Sequence, residues 1–336
     1  MRSLHDSIFE KLQDIQSESE IEEKLAKFIP EVSGIVKESL LKEAPEMLSE
    51  KRALFDQFTL NNQKRWQKGF DSLETHIVIC TEAGESINTE CRAEAVDNED
   101  IVFDLVVRFH ARASHIAQEI LCLLKNGFAD AAHARWRVLH EVNVTAMFIA
   151  KHGHECARRF YFHDIVDSYD GMKEHKKYEH RLREKGCTPE QIADCKSQYD
   201  EAVKEFGTKF KDHYGWAAEV FPHINRVGFG SLEKNVELDH MRPYYKWASQ
   251  NIHAGSKGSR NRLGLEESKE DILLVGQSNS GMVMPAHMTA LSLCQITGCL
   301  IMLRPTIDNV AILNIINELQ ETVGQEFVSI GKMKGS

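Results

Sequence analysis

A chain of 336 residues with a net charge of −10, 42% hydrophobic and 27% charged, has the make-up of a globular protein of one large or two modest domains. That charge excludes generic binding to a nucleic-acid backbone, which needs clustered Lys and Arg to displace counterions from phosphates. The eight cysteines form no CxxC pair, so free thiols are expected, with no disulfide framework or zinc ribbon.

The opening residues "MRSLHDSIFEKLQDI" alternate charge with apolar side chains, so no export signal is expected and the chain is assigned to the cytoplasm. Residues 1–60 read as short amphipathic helices (Ile8, Phe9, Leu12 and Ile15; Ile21, Leu25 and Phe28; Ile35, Val36, Leu40 and Leu41) broken at Pro30 and Pro45. The polar, acidic stretch 81–100 is the expected linker. It divides an acidic helical module, 1–95, from a second helical domain, 96–330.

From Ile101 the apolar residues Val102, Leu105, Val106, Phe109, Ala113, Ile116, Ile120 and Leu124 recur at helical spacing, and Asn126-Gly127 predicts the stop. The helix expected over 129–151 is apolar nearly all round from Val138 to Ile149, the mark of a central element. A charged helix follows over 158–185. Its basic part, 172–186, reads as an exposed charge-paired face. Another helix starts after Thr188, with Pro189 at its first position and Gln191 completing a capping box. Residues 207–240 read as irregular, 241–253 as helix, 254–280 as a polar loop, and 282–303 and 308–326 as closing helices. The stretch 280–303 is the most apolar, but its polar residues and Pro285 make it a buried core helix and not a membrane span. No convincing strand pattern appears, so the fold class expected is an all-α helical bundle.

Two constellations carry candidate chemistry. Arg137 and Glu141 are four apart on a face that turns apolar at Val144 and Phe148. They read as an internal clamp fixing helix register, as an arginine held toward a phosphate or oxyanion, or as a surface pair. Ser249 and His253, in "SQNIHAGS", are also four apart at a helix end. His253 suits either the terminal carbonyls or general acid–base work. There is no HExxH, Walker loop, dinucleotide fingerprint or GxSxG, and neither metal nor cofactor is expected.

Three elements in order, "LLKNGFADAAHARWRVLHE", "CARRFYFHD" and "YKWASQNIHAG", resemble the bacterial all-helical domain-of-unknown-function family numbered 5677, over roughly residues 101–255. The resemblance implies a polar cluster of Arg137, Glu141, Tyr161, Ser249 and His253. The helices and the turn at His253 are also similar to the HEPN superfamily, many of whose helical bundles are RNases of toxin or phage-defence systems. That similarity implies a metal-independent endoribonuclease built across a homodimer. His253 would be acid/base, Arg137 would stabilise phosphorane charge and Glu141 would orient it, with Tyr161 and Ser249 in support. HEPN enzymes carry Arg, then four to six intervening residues, then His. Here Arg108…His115, Arg135…His140 and Arg158…His163 have that spacing, about as often as chance provides, and His253 does not. The phosphate-binding arginine would come from Arg137 or from the Arg260/Arg262 loop. The reading of a different class is a non-catalytic helical scaffold, sensor or dimerisation module, with a protein partner on the N-terminal module.

Overall fold

The computed structural model describes residues 18–253, 255, 258, 262–268, 270 and 272–333, with side chains described from residue 26 onward. Among the described residues there are nine α-helices and no strand: α1 Glu18–Asp97, α2 Ile101–Lys125, α3 Ala129–Phe162, α4 Asp164–Leu182, α5 Pro189–Phe206, α6 Phe229–Asn235, α7 Arg242–Gln250, α8 Val283–Leu303 and α9 Ile307–Lys332. The all-α bundle expected from the periodicity is what the chain forms.

The chain divides into two compact units, Met1–Leu60 and Asn61–Ser336. In the first, the prolines do not break the chain into short helices as expected: α1 carries Pro30 and Pro45 inside it. Each proline lacks one backbone donor and keeps a φ compatible with a helix, so the cost is local. None of residues 26–60 is buried.

In the second unit the segment expected as a linker is helix through Asp97. It packs through a stripe of mostly small side chains, Cys80, Gly84, Ile87, Cys91 and Ala95, at successive steps of three or four residues. At Gly84 the approach is closest: a Cβ there would stand 2.2 Å from the ring of His110 on α2. Asp100 caps α2 by accepting from the Phe103 N–H, and Gly127 follows its end with φ +81°. The Thr188/Gln191 capping box of α5 forms as its sequence predicts.

α8 packs against α2, α3 and α9. It is long and apolar enough to cross a membrane, yet 61% of its most apolar stretch is buried inside the unit. Trp136 of α3 fastens to it, donating from Nε1 to the Met288 carbonyl at 3.0 Å and to Ser292 Oγ at 3.1 Å. Trp66 stacks on Phe327 of α9 at 5.6 Å between ring centres. A second core gathers Phe148, Phe210, Trp216, Phe229 and Leu232 around the far half of α3. There α3 kinks at Gly153, whose φ of +71° suits glycine. The charged helix expected from residue 158 is instead the end of α3, a break at His163, and α4. Asp130 at the start of α3 accepts from the backbone N–H groups of Leu263 (2.9 Å) and Gly264 (3.3 Å), tying the 262–268 turn to that helix.

Candidate functional site

Arg137, His140 and Glu141 occupy adjacent positions on α3, and each reaches a different partner. The Arg137 guanidinium donates to the Tyr245 hydroxyl at 2.7 Å, lies 3.0 Å from Glu141 Oε1, and covers the Tyr245 ring with its central carbon 4.7 Å from the ring centre. Tyr245 in turn donates to Glu141. Arginine, carboxylate and phenol thus close a three-membered ring of polar contacts that joins α3 to α7. Arg137 and Glu141 side chains keep 22% and 33% exposure, so the pair is half-buried. Burial, and then the hydrogen bond to Glu141, holds the Tyr245 phenol well above its usual range.

Behind this ring lies a second, deeper one. His140 Nε2 stands 3.0 Å from Glu233 Oε1, with both side chains fully buried, and Arg242 donates to the other oxygen of Glu233. The carboxylate is the acceptor, so Nε2 carries the proton, while Nδ1 is buried with no hydrogen bond. Rings of Trp136, Phe229 and Tyr245 surround the imidazole.

Glu141 has a second role. It lines a cleft of about 660 Å³ between α2, α3, the start of α4 and the Gly215–Val220 turn. The cleft floor is aromatic: Phe109, Phe160, Tyr214, Trp216 and Phe229. Phe109 and Phe160 are 5.4 Å apart, and Phe160 meets Trp216 edge-on at 5.0 Å. Asp164, Asp167, Arg112 and Tyr161 supply polar groups. Burial pushes the Tyr214 phenol up to about 12, the Glu141 carboxylate adding to the effect while Arg137 and Arg242 oppose it. His163 also lines the cleft but is structural: its Nε2 lies 3.0 Å from the carbonyls of both Phe210 and Asp212, and burial lowers its pKa.

The residues expected to act together therefore fall into three places. Arg137 and Glu141 form their pair, and Glu141 shares the cleft with Tyr161, which is 56% exposed. Ser249 is turned onto its own helix, donating to the Tyr245 carbonyl at 2.8 Å. His253 is exposed past the end of α7, its backbone N–H donating to the Ser249 carbonyl. It lies eight positions beyond Tyr245 in the chain, outside the helix that holds Tyr245. Its side chain makes no hydrogen bond or ion pair among the described residues. Arg262 is exposed in extended backbone, and Arg260 lies outside the described residues. Arg135, His140, Arg158 and His163 each engage other partners: Arg135 pairs with Glu119 and Arg158 with Glu205. Among the described residues, no group of three or more His, Cys, Asp or Glu side chains could hold a metal ion.

Sequence reading missed Tyr245, Glu233 and Arg242 as members of the polar rings, and the aromatic floor altogether. Tyr245 lay in a quoted motif, "YKWASQNIHAG". Trp216 and Phe229 belong to a stretch without periodicity, 207–240, where only the density of aromatic residues marks a core contribution. The model of the Family of unknown function (DUF5677) matches residues 103–271, a span that holds every one of these groups. No curated protein and no solved structure matches the chain.

Proposed function

We propose, from the premise that the chain belongs to the Family of unknown function (DUF5677), that it is a non-catalytic helical sensor of the cytoplasm whose α2–α3–α4 cleft holds a small organic molecule. The observation that carries this reading is the cleft itself. It is concave, floored by aromatic rings, of a size that encloses a small ligand, and edged by a few polar groups. The test is native mass spectrometry of the full chain after dialysis against a cellular metabolite extract. Wild type is expected to retain a small-molecule adduct that Thr145→Trp, which fills the cleft, does not. Equal retention by both would overturn the reading.

The endoribonuclease reading, of the toxin or phage-defence kind implied by the HEPN resemblance, has less support. Its acid/base His253 would need a partner arginine at a shared phosphate. The Arg137 guanidinium is engaged by Glu141 and Tyr245 instead. The carboxylates lining the cleft also repel a phosphodiester. Total RNA incubated with the protein in excess EDTA is expected to stay intact. Fragmentation by wild type and none by His253→Ala would instead favour the nuclease.

We also propose a homodimer through the first unit. Its support is a helix in which none of residues 26–60 is buried, while Leu40, Met47 and Leu54, with Leu41 and Leu48 beside them, recur exposed at seven-residue intervals. Such a stripe calls for a partner helix. Sedimentation of the full chain is expected to give a dimer that Leu48→Glu converts to monomer. A monomeric wild type would leave the stripe to another protein.

A further inference from the structure

We infer that the cleft selects an organic cation with a flat apolar body. This rests on the cleft being the binding site, and it follows from which charges the cleft lacks. Three carboxylates, Glu141, Asp164 and Asp167, line it against a single guanidinium, Arg112. If Arg137 is set against Glu141, the two aspartates still outnumber Arg112. Asp164 and Asp167 stand three apart in the first turn of α4, and neither makes a hydrogen bond or ion pair among the described residues. Glu141 directs Oε1 to Arg137 and Tyr245, and no bond from a described residue reaches its Oε2. Asp164 and Asp167 are solvent-exposed and Glu141 is part-buried, so their carboxylates set a negative potential along the open side of the cleft that salt screens.

The floor reinforces the same sign. An aromatic face carries the negative lobe of its quadrupole and attracts a cation, most strongly once water is displaced. The tilted Phe109–Phe160 pair and the edge-on Trp216 present rings at several orientations around one volume, which suits a cationic head joined to a flat hydrocarbon part. The remaining ionisable lining groups are two histidines and two tyrosines. His163 is held by two backbone carbonyls, His213 is exposed, and neither Tyr161 nor Tyr214 contributes a positive charge. An anion would find only Arg112.

The experiment uses three soluble probes of one size and three charges: benzylammonium, benzyl alcohol and benzoate. Each is titrated into the full chain at pH 7 and low salt, with Kd read by ligand-observed NMR. Benzylammonium is expected to bind at least tenfold tighter than benzyl alcohol, with benzoate weakest. The advantage is expected to shrink with added salt, and to fall several-fold in Asp164→Asn/Asp167→Asn while benzyl alcohol binding is unchanged. Benzoate binding as tightly as benzylammonium, or equal affinity for all three, would overturn the selection for a cation and leave the cleft a binding site. Absence of saturable binding by any probe, or unchanged binding in a folded Thr145→Trp variant, would overturn the cleft reading as well.

Discussion

His140 and Glu233 are fully buried and hold each other at 3.0 Å, with Arg242 on the second carboxylate oxygen. Removing one partner of such a group leaves the other desolvated and unpaired, a larger loss than the net value of the bond. His140→Leu is expected to destabilise the chain by about 2–4 kcal/mol in urea titration, and exchanging the exposed His253 for Ala by less than about 0.5 kcal/mol. At this scale the sequence was informative only where partners share a helix. Arg137 and Glu141 were legible because four residues bring two α3 side chains together. Tyr245, which closes their ring, lies 104 residues beyond Glu141, and Glu233 lies 93 beyond His140. No spacing rule spans such distances; only the packing of α6 and α7 on α3 brings these groups together.

Element by element, local chemistry decided what could be foreseen. Asn126-Gly127 ended α2, Thr188 and Gln191 capped α5, and the apolar run 283–303 became the core helix α8. Each is dictated by a few adjacent residues. The stretch 81–97 misled because it is acidic and its inward stripe is built mostly of small side chains, which hydropathy barely registers. Gly84 is the extreme of that stripe, since its missing Cβ is what admits His110. Gly84→Ala is expected to displace that ring and cost about 1–3 kcal/mol by overpacking, read as a lowered midpoint in thermal unfolding. Relief in the double variant Gly84→Ala/His110→Ala would identify the clash as the cause. Pro30 and Pro45 misled in the other direction, because a proline weakens a helix without always ending it.

Over the whole molecule, buried imidazoles set the response to acid. Burial lowers His76, His110 and His133 from 6.5 to about 4 each. In that interval the unfolded chain binds protons that the folded one refuses. Stability is therefore full above about pH 6.5 and is lost as pH falls toward 4. Each histidine accounts for roughly 3 kcal/mol at the acid limit, and three together approach the whole stability of a typical domain, about 5–15 kcal/mol. Circular dichroism is expected to show cooperative unfolding between about pH 6 and pH 4. His133→Phe should move the midpoint to lower pH, because neither ring nitrogen of His133 has a partner to lose. An acid transition unmoved by that change would remove His133 from the groups that set it. The number of histidines could be read from the chain; their burial could not, because helical periodicity marks the inward face without distinguishing a histidine that faces a carbonyl from one that faces water.

Glu141 belongs at once to the cleft and to the ring that fastens α7 through Tyr245. A positively charged guest at Oε2 and the Arg137 guanidinium at Oε1 then draw on the charge of one carboxylate. By thermodynamic reciprocity, whatever a guest gains from Glu141 is withdrawn from the grip on α7, and a tighter grip weakens the guest by the same factor. The message that such a competition sends is the slackening of a nine-residue helix that leads directly into the segment after Gln250. An occupied cleft would thus be announced to the rest of the chain by mechanical release, with no chemical step required.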